Sequence, residues 1–460
     1  MATEASTQTQ KHPKGLYLLF FAEMWERFSY YGMRGILTLY LSAQVIEGGL
    51  GFSKDNATLI YGWFTGLVYF TPIIGGYLAD KYIGQRRAIL IGGVLMMLGQ
   101  FSLFATPNFG VNATWLGLLL IIIGNGFFKP NISTIVGQLY EQGDPRRDSA
   151  FTIFYMGINV GAFFAPLVCG YLAEDYFATK GADGKILKYA FEYGFLAAGI
   201  GMLTGQIIFN ALAQKYLGDV GLYPAKPEKI DGTDQNAPLT KEEIDRTSVI
   251  FVITIFVTFF WAGFEQAGGS LNLYTRDYIN REVFGFLIPT AWFQSVNPLF
   301  IVLFAPVISA LWLSLGKKGK DLSIPVKMSL GMILLGVGFL FMLGAVAERG
   351  GDVKDIGIKA SLFWLIGTYL FHTLGELCLS PVGLSMITRL APVTYASMLM
   401  GVWFLSPFVA QIAGGYIGAY VEKLGALTIF ASIAAFVILA GLVLLAISRK
   451  LITMMHGRGD

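Results

Sequence analysis

Apolar residues run along this chain in long stretches, separated by short polar clusters rich in Gly and Pro. Breaking the stretches at those clusters predicts helices near 16–46, 57–80, 87–106, 114–139, 149–175, 190–215, 247–275, 289–315, 325–347, 358–388, 393–421 and 424–448. A bilayer span needs roughly 20 mostly apolar residues, and these twelve stretches meet that length. The longest polar stretch, Gly218 to Arg246, falls between the sixth and seventh and splits the chain in two.

The expected fold is therefore an all-α polytopic membrane protein with twelve transmembrane helices in two six-helix bundles. Its parts would be a tail at 1–15, a bundle at 16–216, a linker at 217–246, a second bundle at 247–448 and a tail at 449–460. Two bundles around a site at the midplane suggest alternating access, in which one rocks against the other.

Composition supports the bilayer as solvent: 55% of the 460 residues are apolar, only 14% are charged, and the mean hydropathy is +0.60. With both termini in the cytoplasm, that side carries about 19 Lys/Arg against about 9 outside, the direction of the positive-inside rule. A multi-pass cell-membrane protein is expected. The net charge of +3 forms no basic stripe interleaved with aromatics, which argues against nucleic acid. Cys169 and Cys378 lie in apolar stretches without metal-ligand spacing and read as small buried hydrophobes. The apolar stretch after the polar N-terminus lacks a signal-cleavage pattern and is expected to stay in the mature protein.

Charges inside apolar helices are costly, at least about 2.5 kcal/mol each at the bilayer centre, and normally face a cavity or one another. FFAEMWERFSYYGMRG puts Glu23, Glu26, Arg27 and Arg34 in the first helix. With 3.6 residues per turn, Glu23, Glu26, Arg27 and Tyr30 share a stripe that Arg34 extends. The stripe is expected to line a cavity, while Glu23 and Arg27 at i, i+4 can also form a structural bridge.

GNGFFKPNIS places Lys129 in the fourth helix, followed by Pro130, a candidate flexible joint. Lys129 needs an anion, either Glu23 or Glu26 or a substrate group. Glu265 in the seventh helix and Glu376 in the tenth are each the lone acid in mid-span. A cavity with Arg27, Arg34 and Lys129 on one wall and Glu265 and Glu376 on the other is complementary to a zwitterion.

GGYLADKYIGQRR, from Gly75 to Arg87, resembles the loop signature of the major facilitator superfamily. Asp80 with Arg86 and Arg87 would form a cytoplasmic ionic latch; a solvated turn is the plain alternative.

Glu23, Glu26 and Arg27 match the ExxER motif of the proton-dependent oligopeptide transporter family. GNGFFKPNIS, FTIFYMGINVGAFFAP, FEQAG, WFQSVNP, GELCLSPVGLS and GVWFLS resemble family segments in family order, over essentially the whole chain. The resemblance implies that Tyr30, Arg34 and Lys129 take a peptide carboxylate and that Glu376 takes the amino terminus. It also implies that Asn159 and Asn297 bond the peptide backbone, that Tyr69 and Trp403 line side-chain pockets, that Ser406 belongs to the substrate site, and that Glu265 pairs with Arg34. Packing or interface roles remain open for the aromatics. Many bacterial members carry two extra helices between the halves, where this chain has a short polar linker.

No phosphate-cradling GxxxxGK[ST] loop is present, so secondary transport is expected. His12 and His456 lie in the tails and His372 one turn before Glu376, which leaves carboxylates for the proton work. A glutamate that gains and loses a basic partner can bind and release a proton near neutral pH. Glu23, Glu26, with Arg27, and Glu265 are the candidates. The expected protein is a proton-coupled importer of di- and tripeptides, not an enzyme, with protons as coupling ion, no cofactor, no metal and no obligate protein partner. A relative carrying nitrate or another anion is the nearest rival, and Glu376 speaks against it. A membrane enzyme or sensor on the same bundle has no metal set or GxSxG elbow to support it.

Overall fold

A computed structural model describes residues 11–141, 144, 146–182, 184–224, 239–392 and 396–457. The tail before residue 11, linker residues 225–238 and residues 458–460 lie outside the described residues.

Among the described residues, twelve helices have twenty residues or more. They are α1 (Lys14–Ser42), α2 (Lys54–Leu78), α3 (Gln85–Phe104), α4 (Val111–Gln138), α5 (Arg146–Tyr171) and α6 (Phe191–Leu217), then α7 (Lys241–Phe264), α8 (Val296–Lys317), α9 (Ile324–Glu348), α10 (Leu362–Leu390), α11 (Ala396–Leu424) and α12 (Ala426–Met454). Eleven are long and apolar enough to cross a membrane. The exception, α1, matches them in length, but its four mid-helix charges lower its hydropathy, and it is largely buried against α5 and α6.

Several boundaries differ from expectation. α7 begins at Lys241, not 247, because Thr240 caps it: Thr240 Oγ1 accepts from Glu243 N at 3.3 Å, and the Glu243 carboxylate accepts from Thr240 N at 2.9 Å. α7 also ends early. A 3-10 turn at Glu265–Ala267 and then Gly268 and Gly269 separate it from a short helix, Ser270–Tyr278. α8 starts at Val296 after a 3-10 turn, Thr290–Ser295. α12 runs into the expected tail, since buried Leu451 continues its packed face.

α1–α6 pack mainly on one another, with α1 against α5 and α6, and α3 against α4 and α6. In α7–α12, α9 packs on α10 and α12, and α7 on α11 and α12. The two sets meet where α2 lies along α11 and where α5 meets the turn before α8. The terminal side, where α1 begins and α12 ends, is open, and the far side is closed.

On the far side, Lys54 Nζ reaches Asp277 and Glu422, both at 3.0 Å. Thr38 Oγ1 donates to Gly268 O at 3.0 Å, and Asn272 Nδ2 to Gly35 O at 3.0 Å. The buried Glu174 carboxylate at the end of α5 accepts from Thr290 N at 2.8 Å and Ala291 N at 2.9 Å. Charge-assisted bonds to freed turn amides are strong ones, so these contacts hold the far ends of the two sets together.

Candidate functional site

A central cavity of about 1130 Å3 opens on the terminal side between the two sets. Asp80, Gln138 and Arg147 lie at its mouth, and Tyr69, Lys129, Glu265 and Trp403 line its deeper wall. Prolines in these walls interrupt their helices: Pro72 in α2, Pro130 in α4 and Pro407 in α11. Each removes an intrahelical bond and frees the carbonyl four residues earlier.

The break after α7 positions Glu265. Its carboxylate pairs directly with Arg34 Nη2 of α1, while Arg34 Nε donates to the Tyr61 hydroxyl of α2 at 2.5 Å. Both partners are buried, at 8% exposure each. Gly268 makes this possible, since a Cβ there would collide with the Tyr61 hydroxyl. Three helices from two sets thus meet on one ion pair at the head of the cavity.

Glu23, Glu26 and Arg27 form a second cluster. Arg27 Nε lies 2.9 Å from Glu23 Oε1 and pairs directly with Glu26 Oε2. Asn125 of α4, fully buried, donates from Nδ2 to Glu26 Oε1 at 3.2 Å. The stripe was expected to line a cavity; these three residues are instead buried and do not line it, with Asn125 of α4 bonded to Glu26 and α1 packed against α5 and α6.

Lys129 faces the cavity. Its Nζ sits 4.2 Å from the centre of the Tyr69 ring, and no carboxylate among the described residues lies within 4 Å of it. In this conformation Lys129 therefore pairs with neither Glu23 nor Glu26. A cation over an aromatic face is held by about 0.5–2 kcal/mol and keeps its donors available.

Glu376 differs from expectation. Its Oε2 accepts from Asn297 Nδ2 at 2.8 Å, and that amide also donates to Thr373 Oγ1 at 3.1 Å. Asn297 thus holds Glu376 in the seam between α8 and α10, and the carboxylate deep in the cavity wall is Glu265. Asn159 Nδ2 donates within α5 to Tyr155 O at 3.0 Å. Tyr30 and Ser406 are buried and do not line the cavity. The structure thus brings Tyr69, Lys129, Glu265 and Trp403 to one cavity and keeps Tyr30, Asn159, Asn297, Glu376 and Ser406 outside its lining.

The expected latch is not formed either. Asp80 Oδ1 accepts from Gln85 Nε2 at 3.0 Å, while Arg86 donates to Gln214 Oε1 and Gly218 O on α6 and beyond it. Asp80 faces the cavity mouth and Arg86 faces α6, so the turn points them apart; Arg87 makes no ion pair among the described residues.

Sequence reasoning missed Tyr61, Asn125 and Gln411. Gln411 on α11 lines the cavity and accepts from Thr65 Oγ1 of α2 at 2.9 Å. The available signal was uncharged polarity in an apolar span: amides there normally bond a neighbouring helix.

A family model described as "PTR2: POT family" matches residues 86–217 and 235–430. The chain is 36% identical to the peptide transporter YePEPT of Yersinia enterocolitica, over 97% of this chain and 96% of the relative. It is 34% identical to the di-/tripeptide transporter of Lactococcus lactis subsp. cremoris, over 96% of each. A crystal structure of a mutant peptide transporter POT in complex with alafosfalin superposes with a TM-score of 0.85 at 37% identity, covering 97% of this chain and 96% of that one.

Proposed function

The chain belongs to the POT family of membrane transporters, and on that premise we propose that it imports di- and tripeptides together with protons. It is a multi-pass transporter of the major facilitator type and not an enzyme. The relative from L. lactis carries di- and tripeptides by name, and the solved neighbour binds the peptide-like compound alafosfalin. Both support small peptides as cargo. Both termini are cytoplasmic in this reading, which makes the terminal side the inner face and the conformation an inward-open one.

The Arg34–Glu265 ion pair carries the proposal, because it joins the two sets of helices at the head of a cavity that also contains Lys129. Protonation of Glu265 releases Arg34, and a peptide carboxylate then takes the freed guanidinium together with Lys129. Bidentate guanidinium–carboxylate contacts favour this exchange. Glu23, Glu26 and Arg27 form the second proton-handling group: buried carboxylates sharing one guanidinium cannot all stay ionised when the charge around them changes.

On this reading Glu376 receives the peptide amine only after the α8–α10 seam shifts and Asn297 turns from Glu376 to the peptide. As the bundles close, Tyr30 joins Arg34 and Lys129 at the carboxylate, and Asn159, Tyr69, Trp403 and Ser406 contact the rest of the peptide. Binding energy drawn from termini and amide bonds, present in every short peptide, allows many side chains and limits length.

Uptake of radiolabelled dialanine into proteoliposomes with an imposed inward proton gradient, with and without a protonophore, tests the reading. Accumulation abolished by the protonophore is the expected result. Gradient-independent or absent uptake overturns it.

A further inference from the structure

The far side carries a second cleft, of about 420 Å3, between the start of α2, the short helix Ser270–Tyr278, the α9–α10 loop and the α11–α12 turn. Four cations and three carboxylates line it. Every carboxylate is engaged. Asp277 binds Lys54 at 3.0 Å and Arg276 at 2.7 Å, Glu422 binds Lys54 at 3.0 Å, and Asp352 accepts from Leu427 N at 3.0 Å.

The cations are not matched in the same way. Among the described residues, Arg349, Lys354 and Lys423 have no carboxylate within 4 Å. Arg349 is 3% exposed, with its guanidinium 3.9 Å from the centre of the Tyr278 ring. Its Nε donates to Ile358 O at 2.6 Å and its Nη2 to Val353 O at 2.7 Å, so neutral carbonyls are its protein partners and Nη1 donates to none. Beside it lies the buried Tyr274 hydroxyl, against the Arg349 guanidinium and with its own proton donated to no acceptor among the described residues. A buried guanidinium without a counter-anion is expensive, and an oxyanion with a free donor on either side relieves that cost.

We propose that this cleft is a docking site for the carboxylate of a small peptide or organic acid, held between the Arg349 guanidinium and the Tyr274 hydroxyl and attracted by Lys354 and Lys423. Its role, though not its existence, rests on the orientation proposed above, which makes the far side the outer face. A carboxylate arriving there competes with Asp277 and Glu422 for Lys54, which ties α2 to the far ends of the second set. Docking would thereby loosen far-side closure when cargo is at hand.

The test uses the full chain in nanodiscs, with the central site disabled by Arg34→Gln and Lys129→Gln, and N-acetylalanine as a probe that has a carboxylate but no amine. Saturation-transfer NMR should show saturable binding that dialanine displaces and dialaninamide does not. Adding Tyr274→Phe, Lys354→Gln and Lys423→Gln should weaken it at least about fivefold. Absence of binding, insensitivity to the three changes, or stronger displacement by inorganic phosphate than by dialanine overturns the proposal.

In the otherwise wild-type chain, the same three changes should raise the KM for dialanine influx several-fold and leave the maximal rate unchanged; a fall in maximal rate at constant KM counts against the site. If the wild-type chain fails to move dialanine while N-acetylalanine binding still depends on the cleft, the transport reading fails and the docking site stands.

Discussion

Arg34 of α1 and Glu265, at the break after α7, form a buried ion pair that closes the head of the central cavity and joins the two sets of helices. Removing one partner of a buried pair leaves an uncompensated charge, at a cost of about 3–5 kcal/mol. Glu265→Gln should reduce gradient-driven dialanine uptake at least about tenfold, with peptide exchange at zero gradient retained. Proton-driven uptake equal to wild type in this variant would sink the assigned role of Glu265. Arg34→Lys should not restore function, since an ammonium cannot serve Tyr61 and a carboxylate in the guanidinium's planar geometry.

Lys129 lines the cavity with no carboxylate within 4 Å among the described residues. Lys129→Gln should lower dialanine uptake more than about tenfold and erase the preference for dialanine over dialaninamide in competition assays, because the lost contact is to the carboxylate. Tyr69→Phe keeps the ring beneath Lys129, and its effect should stay within about threefold, the scale of a weak hydrogen bond. An undiminished preference in Lys129→Gln would show that the carboxylate binds elsewhere.

Gly62 lets α2 lie against α11. A Cβ on Gly62 would stand 2.7 Å from the Gly415 Cα and 2.8 Å from Gln411 O, both backbone atoms that cannot turn aside. Gly62→Val should cost about 1–3 kcal/mol of far-side closure. Labelling of a cysteine introduced by Thr65→Cys with a membrane-impermeant maleimide should then speed up from the far side. Unchanged labelling would mean that α2 and α11 have slack.

Arg146 donates side-chain hydrogen bonds to Asp144 in the turn between α4 and α5 and holds its carboxyl down at about 2. The unfolded value is higher, about 3.9, so this contribution is complete above about pH 4 and is lost as pH falls through about 2. Asp144 itself does not change charge between about pH 5 and 8. Asp144→Asn should therefore leave the midpoint of the pH–uptake profile in place; a shifted midpoint would put a coupling group in this turn.

Much of the fold was legible because the bilayer imposes a simple rule on the chain. Lipid offers no hydrogen bonds, so each apolar run becomes a helix, and the twelve runs match the twelve long helices among the described residues. The errors came at the ends, where polar chemistry decides. Thr240 and Glu243 start α7 ahead of its apolar run, and two glycines break it at Glu265.

The site was legible in its membership and less so in its pairing. A charge in an apolar span is conspicuous, so Glu23, Glu26, Arg27, Arg34, Lys129, Glu265 and Glu376 stood out. Asn125, Tyr61 and Gln411 carry no charge, and their importance lies in what they touch: Glu26, Arg34 and Thr65.

By itself the sequence determined that the chain crosses a membrane many times, that it divides in two, and which residues carry intramembrane charge, because each follows from the cost of placing a given side chain in hydrocarbon. Only the tertiary structure decided that Arg34 meets Glu265, that Asn125 bonds Glu26, that Lys129 sits over Tyr69 and that Glu376 turns to Asn297. Those pairings join residues far apart in the chain, and their strength depends on distances of a few ångströms that helix packing alone sets.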